Sequence, residues 1–193
     1  EEFGTDDKPL VQAFNLWLHA IHKTSVNKDK GRYAESVLSE MKEHCRPTVV
    51  SYTICMMANT QSPQDAERLL FELLERQQTV DSSLVITSSI TTDAVLQAWA
   101  QQGNWESAER AQLILERLEQ WQASANQNAI QANSHTYSIV MNAYSKLGAV
   151  EQVEAILAKR IEDDQKLAED KVDTVMYNTA IKAWAVSQDA RAG

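Results

Sequence analysis

Apolar residues in this chain fall in short, dense blocks separated by polar stretches. In "TTDAVLQAWAQQG", Thr91 to Gly103, the residues Ala94, Val95, Leu96, Ala98 and Trp99 cover most of the circumference of a helix. A surface helix buries one side only, so this one must be covered on several sides. Its polar residues Asp93, Gln97 and Gln101 follow i, i+4, i+8, a single line along the helix. The design recurs as "TYSIVMNAYSKLG" around Ser138 and "MYNTAIKAWAVSQ" around Asn178, and more weakly as "SYTICMMANTQS" around Thr53 and "AFNLWLHAIHKT" around Asn15. The anchors Asn15, Thr53, Asp93, Ser138 and Asn178 lie 38, 40, 45 and 40 positions apart. Recurrence at that period predicts a repeat architecture.

After each of the first four copies comes a second amphipathic stretch: "GRYAESVLSEM", "SPQDAERLLFELLERQ", "NWESAERAQLILERLEQ" and "GAVEQVEAILAKR". Ser62 with Pro63, and Asn104 after Gly103, are helix-start signals. Ala34, Ala66 and Ala108 align, each followed by apolar residues at i+3 and i+7, a packing face with one point of close helix approach. The predicted unit is therefore helix–turn–helix, spanning about 10–48, 49–88, 89–133 and 134–173, with a partial fifth at 174–193. A fifth first helix is expected to end near Ser187, with "QDARAG" opening its second helix. Residues 1–8 are expected to be a leader outside the array, disordered or, in "EFGT", vector-derived. The apolar run Leu84–Ile86 reads as loop rather than strand.

Composition narrows the function classes. With 44% apolar residues the chain can bury a core, and five Gly and three Pro are too few for a many-turned β protein. No apolar run reaches the roughly 18 residues of a membrane span, so no membrane partner is expected. Two cysteines, Cys45 and Cys55, make no disulfide framework. His19, His22 and the His44–Cys45 pair fit no closed zinc pattern, and no metal or cofactor is expected. No phosphate-binding glycine loop or nucleophile–base pair emerges, and the run Glu162–Asp164 reads as a solvated face, so no enzyme is expected.

A net charge of −9 opposes gross attraction to nucleic acid. The acids, however, sit mostly on the second helices and connectors, such as Glu106, Glu109, Glu116, Glu119, Glu151 and Glu154. The polar line of the first helices runs Asn15–His19–Lys23, Thr53–Met57–Gln61, Asp93–Gln97–Gln101, Ser138–Asn142–Lys146 and Asn178–Lys182–Val186. Those fifteen positions carry three Lys, one His and one Asp, a mildly basic lining in an acidic chain. Trp99, Tyr144 and Trp184 occupy equivalent apolar positions and read as core, as do Trp105 and Trp121 on a second helix.

An aromatic followed by Asn, Ser or Thr opens four of the five first helices, as in "TVMYNTAIKAWA" and "SHTYSIVMNAYSKLG", and "AERLLFELLER" follows in one second helix. This resembles the pentatricopeptide repeat (PPR) family, in a variant with long repeats, over nearly the whole chain after Lys8. The resemblance implies an all-α fold, a right-handed superhelical solenoid of helix-turn-helix repeats, that binds single-stranded RNA at one base per repeat. It further implies base-reading pairs Asn15 with Thr48, Thr53 with Ser88, Asp93 with Asn133, and Ser138 with Asp173, while the partner of Asn178 would lie beyond the chain. Only Ser138 with Asp173 matches a common family pair, one favouring guanine; Asp93, Thr48 and Ser88 depart from the family pattern. Val50, Ile90 and Val175 match the residue that wedges between bases, where Gln12 and His135 depart, and Lys23 and Lys146 match the phosphate lysine.

The resulting expectation is an RNA-binding adaptor of a chloroplast or mitochondrion, acting in RNA processing, stability or translation, with other proteins of an organellar RNA complex as further partners. The alternative is a protein-binding helical scaffold or a subunit of a larger assembly such as an organellar ribosome. Fold alone does not choose between them.

Overall fold

The computed structural model describes residues 7–24, 29–79, 88–124, 132–164 and 172–192, and the rest of this section concerns those residues. They form α1 (Lys8–Lys23), α2 (Lys30–His44), α3 (Val49–Ala58), α4 (Pro63–Thr79), α5 (Ile90–Ala100), α6 (Trp105–Ser124), α7 (Ser134–Ser145), α8 (Val150–Asp164) and α9 (Thr174–Ala192), with no strand among them. The odd-numbered helices are the expected first helices and the even-numbered ones their partners. The all-α, helix–turn–helix expectation is met. Leu84–Ile86 and the connectors around it lie outside the described residues.

Turn chemistry explains where the hairpins bend. Gly103 and Gly148 have φ of 68° and 66°, a left-handed conformation that side-chain-bearing residues rarely adopt. Gly103 hands α5 to α6, where Asn104 Oδ1 accepts the Ser107 amide at 2.8 Å. Pro63 begins α4, in the first turn, where its missing N–H costs nothing.

Two expectations about the ends need correction. Helix α1 takes in Lys8, with Pro9 in its first turn, so the last residue of the expected leader is helical; residues 1–6 lie outside the description. Helix α9 runs unbroken through Ser187 to Ala192 instead of turning. The segment Val186-Ser187-Gln188-Asp189 has neither glycine nor proline, such as Pro63, Gly103 and Gly148 supply at three of the hairpins, and the helix continues through it.

The chain divides into two compact units, Glu1–Ala98 and Trp99–Gly193. In the first, α1 packs on α2 and α3, α2 on α3, and α3 on α4. Leu18, Leu38, Met41, Tyr52, Met56, Leu70 and Leu73 fill its core, with Ala34 and Ala66 buried at the points of close approach. In the second unit α7 touches α6, α8 and α9, and α8 touches α9. Ala108, Ala111, Val140, Met141, Tyr144, Val153, Met176 and Ala183 are buried there. Helices α3 and α7 are buried nearly all round, as their sequence demanded.

Candidate nucleic-acid interface

The beginnings of the first helices carry most of the residues of interest, and local hydrogen bonds set them. Thr48 Oγ1 accepts the Ser51 amide at 3.4 Å while Ser51 Oγ accepts the Thr48 amide at 3.1 Å, a reciprocal capping box. Asn133 repeats it: its Oδ1 accepts from Thr136 N at 3.0 Å, and Thr136 Oγ1 accepts from Asn133 N at 3.3 Å. Asp173 Oδ1 accepts the Met176 amide at 3.0 Å, and Ser88 Oγ the Ile90 amide at 3.3 Å. Three of the four residues expected to close the base-reading pairs, Thr48, Asn133 and Asp173, thus also cap the helices, while Ser88 stands one residue before Ser89, the cap position of α5. Asn15, Ser138 and Asn178 stand inside their helices, beyond the caps. The Thr48–Ser51 and Asn133–Thr136 spacing was the available signal.

The three expected wedge residues are all exposed. Val50, Ile90 and Val175 are 54%, 60% and 57% exposed, each in the first turn of its helix. Other large apolar residues are exposed too, such as Leu16 and Leu113, but these three recur at one position of the repeat. Gln12 and His135, the departures from the pattern, are exposed at the same register.

The opening polar residues differ from one another. Asn15 is half-buried and its Oδ1 accepts from Ser51 Oγ, on the next first helix, at 2.7 Å. Thr53 is buried; its hydroxyl donates to Val49 O at 2.8 Å and meets Thr91 Oγ1 at 2.8 Å. Asp93 is buried and engaged, and Asn178 is exposed. Ser138 is buried, and its Oγ has no hydrogen-bond partner. Neither Ser51 nor Thr91 stood out in the sequence, because their importance arises only when one helix is set beside another.

Lys23 and Lys146 are both exposed. Lys146 Nζ reaches Ala100 O at 3.4 Å, a carbonyl at the C-terminus of α5. Lys182 Nζ lies 3.4 Å from Asn142 Oδ1, so the polar line of α7 and that of α9 are in contact. The acids are disposed differently. Glu106, Glu109, Glu151 and Glu154 are exposed on α6 and α8, and Glu119 takes the Tyr137 hydroxyl at 2.6 Å and pairs with Lys159.

Aromatic positions separate into two groups. Trp99 and Tyr144 are buried as expected. Trp184 is not: it is 45% exposed, with its indole N–H donating to Glu154 Oε1 at 2.9 Å. Helix α9 packs through one side on α7 and α8, and the side carrying Tyr177, Ile181 and Trp184 stays uncovered among the described residues. Trp105 is also 45% exposed, edge-on to Tyr144 with ring centroids 5.8 Å apart. The Trp121 side chain lies outside the described residues.

Comparison with known families matches residues 8–60 to the pentatricopeptide repeat domain and residues 135–159 to the PPR repeat. The first match covers α1, α2 and α3, and the second covers most of α7 and α8, so both fall on helix pairs of the expected kind. No curated protein matches the chain significantly. The recurring helical hairpins and their helix-start chemistry thus include two stretches similar to pentatricopeptide repeats, one over α1–α3 and one over most of α7 and α8.

Proposed function

We propose that this protein binds single-stranded RNA along the exposed starts of its first helices, as an adaptor in RNA processing, stability or translation in a chloroplast or mitochondrion. The observation that carries this reading is the exposure of Val50, Ile90 and Val175, each an aliphatic group three residues ahead of an opening polar residue. An aliphatic side chain in that place packs against base faces and excludes water, while the neighbouring polar groups meet base edges. The residues assigned to base reading are Asn15, Thr48, Thr53, Ser88, Asp93, Asn133, Ser138, Asp173 and Asn178, and Lys23 and Lys146 are assigned to phosphate. Binding, with no chemistry performed on the RNA, is the activity.

Fluorescence anisotropy with a randomised pool of single-stranded RNA, across a salt series, tests it. Binding should weaken with salt and prefer RNA to single-stranded DNA. The double substitution Lys23→Glu with Lys146→Glu should weaken binding strongly and reduce the log–log salt slope by about 1.4, two phosphate contacts at about 0.7 each. Unchanged affinity and slope in that variant would sink the assignment of these lysines.

A second reading rests on a separate observation. The uncovered Tyr177, Ile181 and Trp184 of α9 fit a protein-binding scaffold, including a subunit of an assembly such as an organellar ribosome. Absence of RNA binding at low salt would favour that reading.

A further inference from the structure

Neighbouring first helices are joined by a short ladder of side-chain hydrogen bonds with a fixed register. Asn15 meets Ser51, which stands two residues before Thr53; Thr53 meets Thr91, which stands two residues before Asp93. In each case the opening polar residue of one repeat bonds to the residue two places before the opening polar residue of the next. Helices α7 and α9 pack together, and carrying the same offset over to them pairs Ser138 with Met176, two places before Asn178. Methionine offers no hydroxyl, and Met176 is itself wholly buried. Accordingly the Ser138 hydroxyl is the one in this series that lacks a partner.

We propose, building on the RNA reading, that the residue two places before each opening polar residue decides whether the preceding repeat discriminates bases, and that among the four pairs contained in this chain only Ser138 discriminates strongly. Where that residue is Ser51 or Thr91, the ladder holds the polar group of the preceding repeat. Thr53 then has its proton committed to Val49 O and one lone pair committed to Thr91, and Asn15 has its Oδ1 turned to Ser51. A group so held cannot reorient to match different base edges. Asp93 is buried and engaged as well. Ser138 keeps both its proton and its acceptor capacity, and a buried hydroxyl without a partner is costly until a ligand supplies one. Its ligand class is a nucleobase edge offering a donor and an acceptor, with Asp173 at the start of α9 as the companion residue. The other repeats contact the strand without choosing among bases.

The test sequences the RNA bound by the full chain from a randomised pool, alongside thermal unfolding of the same variants. The unmodified chain should enrich a base at a single position. Ser138→Ala should abolish that enrichment while leaving the unfolding temperature unchanged or higher, because the substitution removes an unsatisfied group. Met176→Thr should also abolish it, by supplying the missing ladder partner from a buried site that RNA does not touch, and Met176→Leu should preserve it. Enrichment at several positions, or enrichment that survives Ser138→Ala, overturns the proposal while leaving RNA binding intact. A lowered unfolding temperature in Ser138→Ala also overturns it, since the hydroxyl would then be serving the fold. If Met176→Thr fails to fold, Ser138→Ala decides alone. If the unmodified chain binds no RNA, the functional reading fails and this proposal fails with it.

Discussion

Tyr52, immediately before Thr53, is fully buried yet sits in a chain of charges. Its hydroxyl donates to Glu72 Oε1 at 2.8 Å and accepts from Arg76 Nη1 at 2.7 Å, while Lys42 Nζ meets the same carboxylate oxygen at 2.6 Å. Burial, reinforced by the Glu72 carboxylate, pushes the Tyr52 phenol up to about 12, and burial with Glu109 and Glu116 nearby does the same to Tyr144. The ordinary value in an unfolded chain is about 10. A raised folded value means that the stabilisation is complete below about pH 10 and is lost as pH climbs through the folded value. Alkaline titration followed by phenolate absorbance should therefore show Tyr52 and Tyr144 ionising near pH 12, with unfolding accompanying them; ionisation of all five tyrosines near pH 10 in a folded chain would contradict this. Glu72 works in the opposite sense. Burial pushes its carboxyl up, but hydrogen bonds from Lys42 and Tyr52 outweigh that and hold it below the usual range, so its contribution is lost as the solution turns acid. This network was not legible in the sequence, because Lys42, Tyr52 and Glu72 come from three helices and spacing within one helix says nothing of how two others approach it.

At the scale of elements, turns decide more than propensity does. Gly148 has φ of 66°, and a Cβ placed on it would lie 3.3 Å from the Ser187 backbone; Gly103 has φ of 68° with nothing within 4 Å. Gly103→Ala should therefore cost only the left-handed strain, about 1–2 kcal/mol, and Gly148→Ala should cost more because α9 must also give way. Urea unfolding of the two variants measures the difference, and equal losses would show that the Ser187 contact is unimportant. Eight helices were legible as elements because their apolar faces and start signals coincide. The error lay in α9, where the resemblance of "QDARAG" to the opening of α4 suggested a turn that the segment lacks the residues to make. The caps at Asn133 and Asp173 were not legible for a related reason. Asn, Ser and Thr suit both helix starts and mid-helix polar lines, and only the hydrogen bonds tell Asn133 from Ser138.

At the largest scale, within each of the two units helix contacts among the described residues join elements no more than two apart in chain order, as in a repeat protein. Damage should then stay local. Leu70, fully buried in α4, should cost about 2–5 kcal/mol when replaced by alanine. Hydrogen exchange should report loss of protection in α3 and α4, with α8 and α9 keeping theirs; a uniform loss would mean that the chain unfolds as one cooperative body. The all-helical, hairpin-by-hairpin class was legible at this scale because recurrence needs only the sequence to be seen. The ladder was not, since it exists between repeats and within none of them. The capping bonds at Thr48, Asn133 and Asp173 carry one more consequence. Each restarts its helix from residues within three positions of itself, so the phase of a hairpin is fixed afresh whatever the length of the connector before it. Anchor spacings of 38, 40 and 45 can then coexist in one chain. For protein engineering this makes the residue just before each cap the natural crossover point, where whole hairpins can be exchanged as cassettes without resetting the frame of their neighbours.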